Sequence, residues 1–164
     1  MRQRGTNGND LFGMAGDLDV VRLLMERADL NRGNDYGWTK LHQAGYGNDR
    51  VAAIERLVEL GADLNADPYR GTPLTWAAAN GRVAAIRHLV ELCADVNGRG
   101  TFGGPDHGQG VTALHLAAQS GHADAVETLL ELGTDPTIRD AMHGGTPAGW
   151  AQHGCHPELV ERLS

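Results

Sequence analysis

The residue types able to do chemistry gather in two places. Asp106 and His107 stand side by side in a glycine-rich stretch, where a carboxylate beside an imidazole could move a proton. Near the other end of the sequence, His143, His153, Cys155 and His156 carry atoms that can ligate a metal. Neither set has the spacing its chemistry needs. Side chains adjacent in sequence usually diverge, so Asp106 and His107 do not make a dyad by being neighbours. His153-Gly-Cys-His156 spans a helix end and lacks the i, i+4 interval that puts two ligands on one helical face. No nucleophile elbow, phosphate-binding loop, dinucleotide fingerprint or zinc-protease helix motif occurs. No catalytic residue, no metal and no cofactor is expected.

What could position such residues is bounded by composition. A chain of 164 residues with 41% hydrophobic content and mean hydropathy of −0.35 is expected to fold as one globular domain spanning 1–164. No apolar run approaches the ~18 residues of a membrane span, and the first residues show no signal-peptide core. A net charge of −7 argues against nonspecific nucleic-acid binding and against anionic membranes. Cys93 and Cys155 form no metal or redox spacing and fit reduced thiols in a cytoplasmic protein.

Self-comparison is more informative. Thr39-Lys-Leu-His-Gln-Ala44, Thr72-Pro-Leu-Thr-Trp-Ala77, Thr112-Ala-Leu-His-Leu-Ala117 and Thr146-Pro-Ala-Gly-Trp-Ala151 begin alike, at threonine spacings of 33, 40 and 34 residues. The first three are each followed by an amphipathic stretch, beginning at Val51, Val83 and Ala123. Each stretch leads to a turn: Gly61-Ala-Asp-Leu-Asn65, Cys93-Ala-Asp-Val-Asn97 and Gly133-Thr-Asp-Pro-Thr137. A fifth copy of the second half-unit runs from Gly16 to Asn31. Threonine suits a helix N-cap, and Pro73 and Pro147 suit the first turn. Leu41, Leu74 and Leu114 with Ala44, Ala77 and Ala117 give a large and a small apolar group on one face, so a neighbouring helix can approach closely. Gly61 and Gly133 end the second helix through a left-handed backbone.

This pattern resembles the ankyrin-repeat family, whose units of about 33 residues carry T-P-L-H-x-A, and in particular its stand-alone bacterial members. The resemblance covers nearly the whole chain. It implies an all-α solenoid of five stacked helix-turn-helix units with finger loops, at about 5–32, 33–65, 66–97, 98–137 and 138–164. Helices are expected over 8–15 and 18–26, 39–47 and 51–59, 72–79 and 83–91, 112–119 and 123–131, and 146–153 and 157–163. Unit one has Asn7, Asn9 and Asp10 in place of the signature, as a solvent-facing cap would. Unit two carries one extra residue near Tyr46–Arg50, with Lys40 in place of proline, which puts the end of its first helix in question. Unit five, ending at Ser164, is either a short cap or a truncated unit. Between units three and four, the stretch 98–110 has six glycines in thirteen positions and reads as an inserted, extended finger.

The resemblance also implies that ligands meet the finger tips and the exposed face of the first helices, which together form a concave groove. Mapped onto this sequence, the finger positions are Asp35, Tyr36, Trp38, Tyr69, Arg70, Gln109, Met142 and His143. The helix positions are Tyr46, Asn80, Gln119 and His153. Trp76 and Trp150 share one repeat position, suited to packing between first helices with partial exposure in the groove. Phe102, Asp106 and His107 come from the inserted finger. Five of the eight aromatics fall on tips or exposed helix positions, where hot spots of binding are made. His42 and His115, at the signature histidine position, are expected to hydrogen-bond within the finger loops. The resulting expectation is a monomeric interaction module for a protein or peptide partner. The alternative is a small-molecule-binding protein or enzyme that uses the same groove with the 98–110 finger as a lid.

Overall fold

The computed structural model describes residues 29–47, 50–67, 71–101 and 109–164. Within them, helix α1, Lys40–Tyr46, pairs with α2, Val51–Glu59, and α3, Pro73–Ala79, pairs with α4, Val83–Glu91. Helix α5, Ala113–Gln119, pairs with α6, Ala123–Glu131, and α7, Pro147–His153, with α8, Pro157–Leu163. The expected helices 8–15 and 18–26, with Asn7, Asn9 and Asp10, lie outside the described residues. Each second helix begins and ends where the sequence placed it. Each first helix begins one residue later than expected, because the repeat threonine is the cap and not the first helical residue. Thr72 Oγ1 accepts from the Thr75 amide at 3.3 Å, and Thr146 Oγ1 accepts from the Gly149 amide at 3.3 Å. In unit two, α1 closes at Gly47, whose N–H donates to the Gln43 carbonyl.

The first helices stack in a row, α1 on α3 on α5 on α7, and the second helices form an outer row, α2 on α4 on α6. Leu41, Leu74 and Leu114 are buried between neighbours, as are Ala44, Ala77, Ala117 and Ala151. Ile54, Leu57, Ile86, Leu89, Val126, Leu129 and Leu159 fill the space between rows. Each such aliphatic side chain contributes about 1.5–3 kcal/mol on burial. No unit can bury its own stripe, so the stack is the core.

Two polar devices hold the units in register. Asn31 Oδ1 accepts from the Asp63 amide at 2.7 Å, Asn65 Oδ1 from Asp95 at 2.9 Å, and Asn97 Oδ1 from Asp135 at 2.9 Å. The Asp-x-Asn turns thus form a ladder from unit one to unit four. At the far ends of the first helices, Arg82 Nε donates to the Tyr46 carbonyl at 3.1 Å, and His122 Nε2 lies 3.1 Å from the Ala79 carbonyl. The sole strand pair among the described residues is a small antiparallel hairpin, β1 (Gly100–Thr101) and β2 (Gln109–Val111), at the base of the inserted finger.

Candidate functional site

The fingers lie at the N-terminal ends of the first helices, and three of them are each tied by one short polar side chain. Asn34 Oδ1 accepts from the amides of Tyr36 and Trp38, both at 3.0 Å. Asp67 accepts from the Gly71 amide at 2.9 Å and from the Thr101 amide at 2.6 Å, with the Thr101 hydroxyl also within 3.0 Å. It therefore links the third finger to the base of the inserted one. Asp140 accepts four N–H groups: Met142 and His143 at Oδ1, Gly145 and the Trp150 indole at Oδ2, at 2.7–3.0 Å. Burial raises the Asp140 carboxyl, but these donors outweigh it and hold the group below the usual carboxylate range. None of these three keystones was singled out in the sequence, although an Asn or Asp five or six residues ahead of three repeat threonines was there to be read.

The two signature histidines each join one finger to the unit before it. His42 Nδ1 accepts from the Thr39 amide at 3.2 Å, and its Nε2 donates to the Gly71 carbonyl at 2.7 Å. His115 repeats this with the Thr112 amide at 3.2 Å and the Gly145 carbonyl at 3.1 Å. Both rings are buried, and burial pushes both pKa values down; the accepting carbonyls and the carboxylates of Asp67 and Asp140 oppose it only in part. A neutral Nε2–H tautomer satisfies every partner. Their use in the finger loops is as the resemblance implied.

The mapped contact positions fall into two groups. In the first, Trp38 at the base of the second finger lies with its ring centroid 4.7 Å from Trp76 on α3 and 5.3 Å from Tyr46 on α1, both tilted. Trp38 and Trp76 are half-buried, while Tyr46 is 43% and Tyr36 68% exposed. Asp35, next to Tyr36, is exposed as well. In the second group, Met142 (45% exposed) and His143 sit on the finger tied by Asp140, with Trp150 edge-on to His115 at 5.4 Å. Trp150 thus packs on the neighbouring first helix through His115 of α5, while its indole ties the finger at Asp140. Asn80 is half-buried, and its Nδ2 donates to the Trp76 carbonyl at 2.8 Å, closing α3. Gln119 is half-buried and His153 exposed at the ends of α5 and α7; Gln109 lies in β2. Tyr69, Arg70, Phe102, Asp106 and His107 lie outside the described residues.

Among the described residues, no group of His, Cys, Asp and Glu could hold a metal ion, and no helix is long and apolar enough to cross a membrane. Open clefts occur where first helices turn into second ones, at the ends away from the fingers; Gly47, Arg50 and Arg82 line one of them.

Stacked helix pairs, a ladder of Asp-x-Asn turns and fingers hung from buried histidines define a repeat solenoid. The family model for ankyrin repeats matches three times, over residues 11–100, 67–140 and 101–164. The chain belongs to the ankyrin-repeat family. It is 42% identical over 55 residues to the ARF GTPase-activating protein GIT2 of Mus musculus, covering 34% of this chain and 8% of that protein. It is 28% identical over 166 residues to the NF-kappa-B inhibitor cactus of Drosophila yakuba, covering 98% of this chain and 24% of that protein. The chain therefore spans a quarter or less of the length of these relatives. Ankyrin repeats are protein-interaction modules, and this chain is built from them.

Proposed function

We propose that the chain, as a single domain over 1–164, binds a partner protein or peptide along the face formed by its fingers and first helices. The observation that carries this is the aromatic cluster of Trp38, Tyr46 and Trp76, with Tyr36 two residues from Trp38. Rings in mutual contact are held rigid, so the exposed Tyr46 loses little entropy on binding. A solenoid core is filled by Leu, Ile and Ala, so it has no need of aromatics there. Asp35, Met142, His143, Gln119 and His153 extend the contact surface, and the repeat pattern of the sequence adds Tyr69, Arg70, Phe102, Asp106, His107 and Gln109 to the proposed contact set. The NF-kappa-B inhibitor named above supports the protein-partner reading for a chain aligned over almost its full length. Two exposed free cysteines, Cys93 and Cys155, fit a reducing, cytoplasmic setting.

The test is selection of displayed protein or peptide binders against the chain, followed by affinity measurement with Tyr36→Ser and Tyr46→Ser. Each should weaken binding about tenfold, or ~1.4 kcal/mol. Binders that ignore both changes and protect the outer helices from exchange would refute it.

A further inference from the structure

Gly145 is held from both sides. Its N–H donates to Asp140 Oδ2 at 2.8 Å, and its carbonyl accepts from His115 Nε2 at 3.1 Å. Asp140 also takes the Met142 and His143 amides and the Trp150 indole, so the finger 140–145 is one hydrogen-bonded knot. The knot meets the previous unit through His115, whose other nitrogen, Nδ1, accepts the Thr112 amide. Nδ1 also lies 2.8 Å from the Thr112 hydroxyl, so the neutral Nε2–H ring accepts from amide and hydroxyl while it donates to Gly145. A proton on Nδ1 can be given to the Thr112 hydroxyl, but it strips the buried Thr112 amide of its acceptor and puts a charge into a site with no exposure to water.

We propose that His115 and Asp140, closing on Gly145, form an acid-sensitive joint that lets mild acid release the finger carrying Met142 and His143 while the helix stack stays folded. The groups facing His115 set the direction. Its burial works against the charged ring, and so does the Arg99 guanidinium. The Asp140 carboxylate and the backbone at Gly145 and Ile138 favour the charged ring, without overcoming burial. Protonation therefore drives the ring out of its site. The ring leaves Gly145 but not the apolar stripe beneath it, since Leu114, Ala117 and Leu129 are packed without its help. The same joint recurs in unit two, where His42 and Asp67 hold the carbonyl and the amide of Gly71. Unit three has Thr75 at the histidine position, bonded to its own Thr72 carbonyl at 2.7 Å, and so has no such joint. A consequence for partner binding rests on the interaction reading above. The joint itself is read without a partner, so the two can fail separately.

The experiment is amide and indole hydrogen exchange by NMR on the whole chain near pH 7.5 and pH 5.5, corrected for intrinsic exchange. The amides of Thr112 and Gly145 and the Trp150 indole should lose severalfold of their protection in acid, up to the roughly tenfold limit that one histidine sets. The helical circular dichroism should be the same at the two pH values, since the stack stays folded while the finger opens. His115→Thr borrows the residue α3 already uses and should abolish the difference between the two pH values. Unchanged finger protection, a loss of helical signal at pH 5.5, or an acid response of the finger that persists in His115→Thr would overturn the proposal.

Discussion

Replacing Cys93 with glycine should stabilise the protein. Cys93 follows α4 with φ of 74°, in the left-handed region, where Gly61 and Gly133 stand in the sister units with φ of 95° and 87°. The hydrogen bonds are alike in all three. Cys93 N–H donates to the Val90 carbonyl and Ala94 N–H to that of Leu89, as Gly61 and Ala62 do to Val58 and Leu57. An added Cβ at Gly61 or Gly133 would meet nothing within 4 Å, so this position penalises a side chain through conformation rather than through collision. A left-handed L-residue costs about 1–2 kcal/mol. Glycine costs about 0.5–1 kcal/mol more to order. The net gain for Cys93→Gly is then ~0.5–1 kcal/mol, or roughly 1–4 °C in Tm for a chain of this size. Gly133→Ala should lose about as much. Gly121→Ala should lose more, about 2 kcal/mol or above, since its Cβ would also run into the His156 ring. Urea denaturation and calorimetry under reducing conditions rank the three. A lower midpoint for Cys93→Gly with no loss for Gly133→Ala would refute the conformational account.

Leu74→Ala and Leu114→Ala each empty a site flanked by two units and should cost about 2–5 kcal/mol. Leu163→Ala, in α8 and slightly exposed, should cost less in the same denaturation series. Acid should act in two steps. His42 and His115 are held below 6.5, so the unfolded chain takes up protons first and stability falls as pH drops below that value. Asp140 is held below 3.8, so its contribution is full above that value and vanishes as pH falls through its folded pKa. Denaturation midpoints across pH should show the upper step shrink in a His42→Thr/His115→Thr variant and the lower step shrink in Asp140→Asn. Replacing residues 102–107 with a Gly-Ser link should change stability by less than ~1 kcal/mol. If Phe102 and His107 supply contacts, the same change weakens partner binding at least about tenfold; unchanged affinity would move the site elsewhere on the face.

The helices were legible because their signals are local. A threonine, a proline in the first turn, a Leu/Ala pair and a closing glycine each act within a few residues, and four copies average out any one departure. Lys40 in place of proline did not matter, since Thr39 and His42 cap each other in its absence. What the sequence hid is what passes between units. Asn97 reads as a turn residue; that its Oδ1 accepts the amide of Asp135, 38 residues on, depends on stacking. Asp140 reads as one more surface acid, yet it is only 4% exposed because four N–H groups converge on it once the finger closes. Trp150 shows the same limit from the other side. Its repeat position matches that of Trp76, so sequence alone gives the two one role. Their neighbours part them: Trp76 meets another aromatic ring at Trp38, while Trp150 meets a histidine and a carboxylate. Equivalent positions in a repeat share a backbone and not an environment. The aromatic cluster in units two and three is therefore a property of this chain rather than of its repeat.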